Sequence, residues 1–157
     1  MGFTVFIVIS WVAVFAFFTM KRSLSVVENT FIYLVVLIVE INFSWIVSEE
    51  LKDIWVTNNG LKYTAYLVFR SVLMPTLYVI LFNFIYQTKS MSLALFAAAA
   101  SVAVMLALNG LARFYDIERY TNWSLMYDAI YFILLEAAVF GLHRVLRRIR
   151  HAEARRS

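Results

Sequence analysis

Residues 62–86 read KYTAYLVFRSVLMPTLYVILFNFIY, and after Lys62 the only charged side chain in this run is Arg70. An α-helix rises about 1.5 Å per residue, so about 20 apolar residues cross the roughly 30 Å hydrocarbon core of a bilayer. This run is long enough and apolar enough to form such a helix. The fold therefore depends on whether the rest of the chain contains comparable runs.

The composition of the whole chain indicates that a bilayer is its solvent. Of the 157 residues, 63% are hydrophobic and 15% are charged, and the mean hydropathy is +0.78. A soluble domain of this length cannot bury so much apolar surface. The absence of cysteine excludes disulfides, thiolate nucleophiles and iron–sulfur ligation, and two histidines are poor material for a zinc site. We therefore expect no cofactor.

Four further segments have the length and apolar character of membrane spans. Together with residues 62–86 they predict an all-α fold, a polytopic bundle of about five transmembrane helices in one domain, 1–143, followed by a basic tail, 144–157. A four-helix alternative, in which the first segment lies on the membrane surface, stays open. The four further segments are residues 2–20, 30–48, 91–112 and 123–143.

Basic residues are distributed unevenly among the predicted loops. Nine of the 14 lysines and arginines lie in the first loop, in the loop with Lys89 and in the tail, whereas four lie in the alternate loops. The positive-inside rule then predicts a multi-pass plasma-membrane protein with its N-terminus outside and its C-terminus in the cytoplasm. The basic tail would lie beside anionic lipid headgroups, which we favour over nucleic acid as its partner.

Polar residues at matching depths in different spans predict a cluster inside the bundle. Arg70 and Glu40 each lie about eight residues from the outer end of their span, roughly 12 Å deep. Because an unpaired ion at mid-membrane costs at least ~2.5–3.5 kcal/mol, we expect Arg70 to pair with Glu40. Asn109 and Asp128 would complete this intramembrane polar cluster, with Glu136 farther along the last span.

The predicted cluster has more acids than bases. Arg70 faces Glu40, Asp128 and Glu136, so two carboxylates must be protonated, hydrated or paired with an outside cation. A structural ion pair in a hydrated cavity explains the arrangement, as does recognition of a ligand or partner. We expect a non-catalytic membrane protein that recognises a partner or small ligand through this cluster. The alternative is a small transporter or a proton or cation conduit that runs from Asp128 through Glu136 to His143.

A strip of small residues lies on the fourth span at helical spacing. Such strips let helices approach closely in lipid, where burial from water no longer drives association. The strip predicts close packing within the bundle or, alternatively, a homo-oligomer or another membrane protein as partner. Its members are Ala99, Ala103, Ala107 and Gly110.

Pro75 interrupts the backbone hydrogen bonding of the third span. Proline has no N–H group, so the carbonyl of Ser71, four residues earlier, loses its helical partner. The sequence therefore predicts a kink one turn from Arg70.

Three short patterns resemble a family of small uncharacterised integral membrane proteins of spore-forming Gram-positive bacteria. They are MPTLYVILFN with Pro75 and Asn83, RFYDIERYTNW ending at Trp123, and HRVL with Arg144. The resemblance covers the chain from about residue 29 onward and implies a plasma-membrane helical protein of four or five spans. Family members often carry an acidic residue near the end of the penultimate span, where this chain has Asn109.

Overall fold

Five helical rods make up the computed structural model, which describes residues 1–153 and the side chains of residues 1–149. Each rod is long and apolar enough to cross a membrane, which confirms the predicted all-α bundle. The helices are α1 (Gly2–Thr19), α2 (Val26–Trp45), α3 (Gly60–Val68), α4 (Met74–Gln87), α5 (Met91–Phe114) and α6 (Leu125–Glu153).

Two π-helical turns extend and join these helices. The turn at Ile46–Glu50 continues α2, and the turn at Phe69–Leu73 joins α3 to α4 into the third rod. The first rod, α1, belongs to the bundle, because Phe6 is fully buried with its ring centroid 5.0 Å from that of Phe69. The structure therefore has the five-helix arrangement and not the four-helix alternative.

Two helix ends extend well beyond the predicted spans, the start of α2 and the end of α6. Helix α2 begins at Val26 because Ser25 forms a capping box with Glu28, in which each side chain bonds the other residue's backbone N–H. The last helix continues past residue 143 to Glu153, so the predicted basic tail begins within α6. Residues 154–157 of that tail lie outside the described residues.

The two ends of the bundle are identified by contacts between distant segments. One end, the β end, carries strands β1 (Ile54–Val56) and β2 (Glu118–Tyr120), which pair antiparallel. The start of α1 lies there too, because a side chain at Gly2 would approach the Tyr115 Cβ to 2.9 Å. At the other end, the tail end, Glu28 of α2 contacts Arg147 of α6.

An asparagine network fixes the α1–α2 loop at the tail end. Asn83 of α4 is fully buried, and its Oδ1 accepts hydrogen bonds from the backbone N–H groups of Ser23 and Leu24 at 3.0 and 3.1 Å. Its Nδ2 donates to Asn29 Oδ1 at 2.6 Å and to the Val79 carbonyl at 2.9 Å. One amide thus joins three segments of the bundle.

The small-residue strip of α5 does not pack inside the bundle as predicted. Ala99, Ala103 and Ala107 are exposed in the described chain, and Gly110 is half-buried. The expectation of close intramolecular packing is therefore wrong for the three alanines. Because they lie on the face of α5 opposite its buried residues, self-association stays a prediction.

Candidate functional site

The Arg70 guanidinium lies between two buried carboxylates near the β end. Its Nη1 donates to Glu40 Oε2 at 3.2 Å and its Nη2 to Glu118 Oε2 at 3.1 Å. All three side chains are at most 7% exposed. The structure thus brings Arg70 and Glu40 together, as their equal depths predict, and adds a second acid from outside the spans.

A π-helical turn positions Arg70 and accommodates Pro75. Within this turn the Met74 N–H bonds the Phe69 carbonyl, five residues earlier, so the usual helical register is interrupted. The Ser71 carbonyl, which Pro75 cannot bond, accepts a hydrogen bond from the Tyr33 hydroxyl of α2 at 2.9 Å. The irregular backbone near Arg70 therefore gains its missing hydrogen bond from a neighbouring helix.

Strand β2 places Glu118, which sequence reasoning did not select. Its neighbour Arg119 points outward, with a 70% exposed side chain, because successive side chains of a strand face opposite sides. Glu118 consequently faces the bundle beneath the strands. Burial raises the pKa of the Glu118 carboxyl, and Arg70 opposes that rise. Strands of three residues give too short an alternation to recognise in the sequence.

Asp128 forms a separate centre beside this ion pair and not the predicted contact with Arg70. Its Oδ2 accepts a hydrogen bond from Asn109 Nδ2 at 2.9 Å, and its Oδ1 accepts one from Trp123 Nε1 at 2.8 Å. The Tyr120 hydroxyl also donates to Oδ2. Burial and this bond to a carboxylate raise the pKa of Tyr120. Polar donors, and not the guanidinium of Arg70, therefore hold Asp128.

Glu136 lies outside the cluster to which the sequence assigned it. It accepts a hydrogen bond from the Ser101 hydroxyl of α5 and makes no ion pair within the described part of the chain. The reason is geometric: Glu136 is eight positions beyond Asp128 on α6, which places it about 12 Å farther along the helix axis and about 80° around it. The prediction that Glu136 faces Arg70 is wrong.

A second buried ionic group, also missed from the sequence, lies at the tail end. Glu28 Oε1 accepts from Arg147 Nε at 2.6 Å and lies 3.2 Å from His143 Nε2. The other ring nitrogen of His143 is 2.9 Å from the Tyr86 hydroxyl. These contacts tie the start of α2 to the last turns of α6.

Several buried polar atoms at the β end have unmet hydrogen-bonding capacity. Arg70 Nε, Glu118 Oε1 and Asn109 Oδ1 make no hydrogen bond within the described part of the chain. Glu40 Oε1 faces Tyr131, and Ser44 Oγ faces Tyr66, without closing a well-formed hydrogen bond. Because buried polar groups in native proteins are normally satisfied, this concentration indicates a place for water or a ligand.

A small cavity adjoins these atoms between α2 and α3. We call it the β-end pocket, and its volume is about 180 Å³. Ser44, Tyr66 and Arg70 belong both to its lining and to the buried cluster. Its lining includes Ser44, Trp45, Glu49, Tyr63, Tyr66 and Arg70.

Comparison of the chain with protein-family models, with curated proteins and with solved structures gives no match. The resemblance to membrane proteins of spore-forming bacteria stays a prediction. Within residues 1–149, no three His, Asp or Glu side chains converge as a metal site would require. The function must therefore be inferred from the geometry of this chain alone.

Proposed function

We propose that this protein is a non-catalytic membrane protein that recognises a small ligand carrying a positive charge, through the β-end pocket and the buried cluster. The observation that carries the proposal is the lining of the pocket, in which the Glu49 carboxylate lies together with the aromatic rings of Trp45, Tyr63 and Tyr66. We place the protein in the plasma membrane with the β end outside. The basic tail end would then contact anionic headgroups on the cytoplasmic side.

The charge of the site favours a cation. The cluster and the pocket contain four carboxylates and two guanidinium groups, so the ionised site carries an excess of negative charge. An added cation would restore the balance where water is scarce and each charge is expensive to bury. The carboxylates belong to Glu40, Glu49, Glu118 and Asp128, and the guanidinium groups to Arg70 and Arg113. Arg113 adjoins the cluster because its guanidinium lies 4.2 Å from the centroid of the Tyr120 ring.

The aromatic walls of the pocket favour an organic ammonium group. Trp45, Tyr63 and Tyr66 line it together with Glu49. A cation over an aromatic face gains about 0.5–1 kcal/mol at exposed sites and about 2 kcal/mol where it is desolvated. The Tyr66 ring already takes part in such a contact, with the Arg70 guanidinium 5.7 Å from its centroid. An ammonium group between these rings and Glu49 gains the cation–π attraction of the rings and the ionic attraction of the carboxylate.

Choline binding tests the proposal. We expect saturable quenching of tryptophan fluorescence when choline is titrated into the purified protein. The neutral isostere 3,3-dimethylbutan-1-ol should give no saturable signal. Replacing Trp45 by leucine removes one wall and should weaken binding about 5- to 30-fold, which corresponds to about 1–2 kcal/mol. Isothermal titration calorimetry supplies an independent measurement for this variant.

Matched variants at the same end of the bundle act as controls. Trp55→Leu removes an aromatic ring that does not line the pocket, and Glu50→Gln removes a carboxylate next to Glu49. Both should bind choline like the wild type, whereas Glu49→Gln should bind it more weakly. Equal binding of choline and its neutral isostere, or equal losses in the control variants, would contradict recognition of a cation here.

A proton or cation conduit is the second candidate, and the position of Tyr78 favours it. This buried residue of α4 interacts electrostatically with both Glu40 and Glu136. Polar groups thus continue from the β end toward the middle of the bundle. His143 and Glu28 then carry the series to the tail end.

Ion flux into proteoliposomes tests the conduit. If the conduit exists, Glu136→Gln should reduce proton or cation flux at least about tenfold, because it removes the ionisable group in the middle of the series. Glu40→Gln should also reduce the flux, whereas Glu50→Gln, at an exposed carboxylate, should leave it unchanged. No flux from the folded wild type across a range of cations and pH would eliminate this candidate.

A further inference from the structure

A groove runs along α1, away from the β-end pocket. Two cavities of about 400 and 430 Å³ adjoin there, because both are lined by Val14, Phe18 and Val72. Together they extend along α1 from Ile7 to Phe18 and reach Arg22 in the loop that follows the helix. The eleven helical steps from Ile7 to Phe18 span about 16 Å, and one leaflet of a bilayer contributes roughly 15 Å of hydrocarbon. The groove is therefore long enough for one acyl chain.

The wall of the groove is mostly apolar. The polar side chains of Asn29, Tyr33 and Thr76 reach it, and each donates a hydrogen bond to a backbone carbonyl of the bundle. The hydroxyl groups of Ser10 and Thr30 also line it, and Ser10 Oγ makes no hydrogen bond within the described part of the chain. No carboxylate lines either cavity. An occupant thus meets hydrocarbon and aromatic surface along the groove and has no buried acid to neutralise.

The tail end of the groove is basic. Arg22 lines its mouth and makes no ion pair within the described part of the chain. Its guanidinium lies 5.4 Å from the centroid of the Phe17 ring, and the adjacent Lys21 is exposed. Two cations at the end of an apolar groove match a molecule with an anionic head and a hydrocarbon chain.

We propose that this groove binds an anionic phospholipid, with one acyl chain along α1 and the phosphate group at Arg22 and Lys21. This site differs from the lipid contact expected for the basic tail of α6, and it does not depend on the proposed ligand of the β-end pocket.

Native mass spectrometry of the purified protein tests the assignment, with phosphatidylglycerol and phosphatidylcholine of identical chains as probes. We expect one phosphatidylglycerol molecule to bind in preference to phosphatidylcholine. The double variant Lys21→Gln, Arg22→Gln should weaken phosphatidylglycerol binding about tenfold or more and remove the preference. Both residues are exposed, so the variant should fold normally.

Two further variants separate this groove from other lipid contacts. Lys52→Gln with Lys89→Gln removes two exposed basic residues outside both the groove and the basic tail and should leave binding unchanged. Val14→Phe fills the place where the two cavities meet and should weaken binding of both lipids. Equal binding of the two lipids to the wild type, or equal losses in the Lys52 and Lys89 variant, would overturn the proposal. So would full binding by a folded Val14→Phe protein.

Discussion

Replacing Arg70 by methionine is expected to lower the free energy of unfolding by roughly 3–5 kcal/mol, the range observed when one partner of a buried ion pair is removed. The substitution leaves two buried carboxylates, Glu40 and Glu118, without the cation that lies 3.1–3.2 Å from them. The measurement is thermal unfolding of the purified protein in detergent, followed by circular dichroism. We expect a large fall in the melting temperature and a low yield of folded protein.

Arg119→Met is the matched control. Arg119 follows Glu118 in strand β2, but its side chain is 70% exposed, and its ion pair within the described part of the chain is with exposed Asp116. The stability of this variant should lie within about 0.5 kcal/mol of the wild type. Adding Glu40→Gln and Glu118→Gln to Arg70→Met removes the stranded charges and should recover most of the loss. An Arg70→Met protein as stable as the Arg119→Met control would contradict the ion-pair assignment.

Charge reversal distinguishes a simple pair of Arg70 with Glu40 from an arginine shared by two carboxylates. Exchanging Arg70 and Glu40 puts the guanidinium on α2 and leaves Glu118 facing a new carboxylate on the third rod. The exchange should therefore restore stability only in part. Adding Glu118→Gln should improve the rescue, whereas a full rescue without it would show that Glu118 contributes little.

Replacing Asn83 by leucine is expected to cost roughly 2–4 kcal/mol. The two backbone N–H groups of Ser23 and Leu24 would lose their acceptor in a buried place, and each unsatisfied buried group costs about 1–3 kcal/mol. Asn29 would also lose its partner. The same thermal unfolding experiment measures this effect, and hydrogen exchange at Ser23 and Leu24 should accelerate.

Asn42→Leu is the matched control for this substitution. Asn42 also donates to the carbonyl four residues earlier, that of Ile38, but its side chain is exposed. A leucine there should change stability by less than about 0.5 kcal/mol. Similar losses at both positions would mean that the Asn83 network does not fix the α1–α2 loop.

The sequence predicted those features that the bilayer itself constrains. Five spans follow from hydrophobic length, and the proximity of Glu40 and Arg70 follows from their equal depth, counted from the same side of the membrane, in two consecutive spans. Depth does not determine the rotation of a helix about its axis. For that reason the contacts of Glu28 with His143 and Arg147 could not be foreseen. Depth does distinguish Glu136, which lies about 12 Å beyond Asp128 along α6 and bonds Ser101 instead.

The partner that completes the site could not be predicted for a different reason. Glu118 reaches Arg70 because strand β2 pairs with strand β1, where Glu118 lies opposite Val56. Each of these strands has three residues. The register of such short strands is fixed by the helices around them and not by a pattern of their own. Local sequence therefore placed Glu118 in a solvent-facing loop, whereas the folded bundle buries it.

The order of the residues along the chain has a consequence for how the protein is made. Glu40 precedes Arg70 by 30 positions, whereas Glu118 follows it by 48. During synthesis the third rod therefore enters the membrane with one counter-charge already present, and the second arrives only after α5 has been made. A nascent chain that stops before β2 holds an incompletely neutralised arginine. This state ends when the two strands pair and bring Glu118 to Arg70.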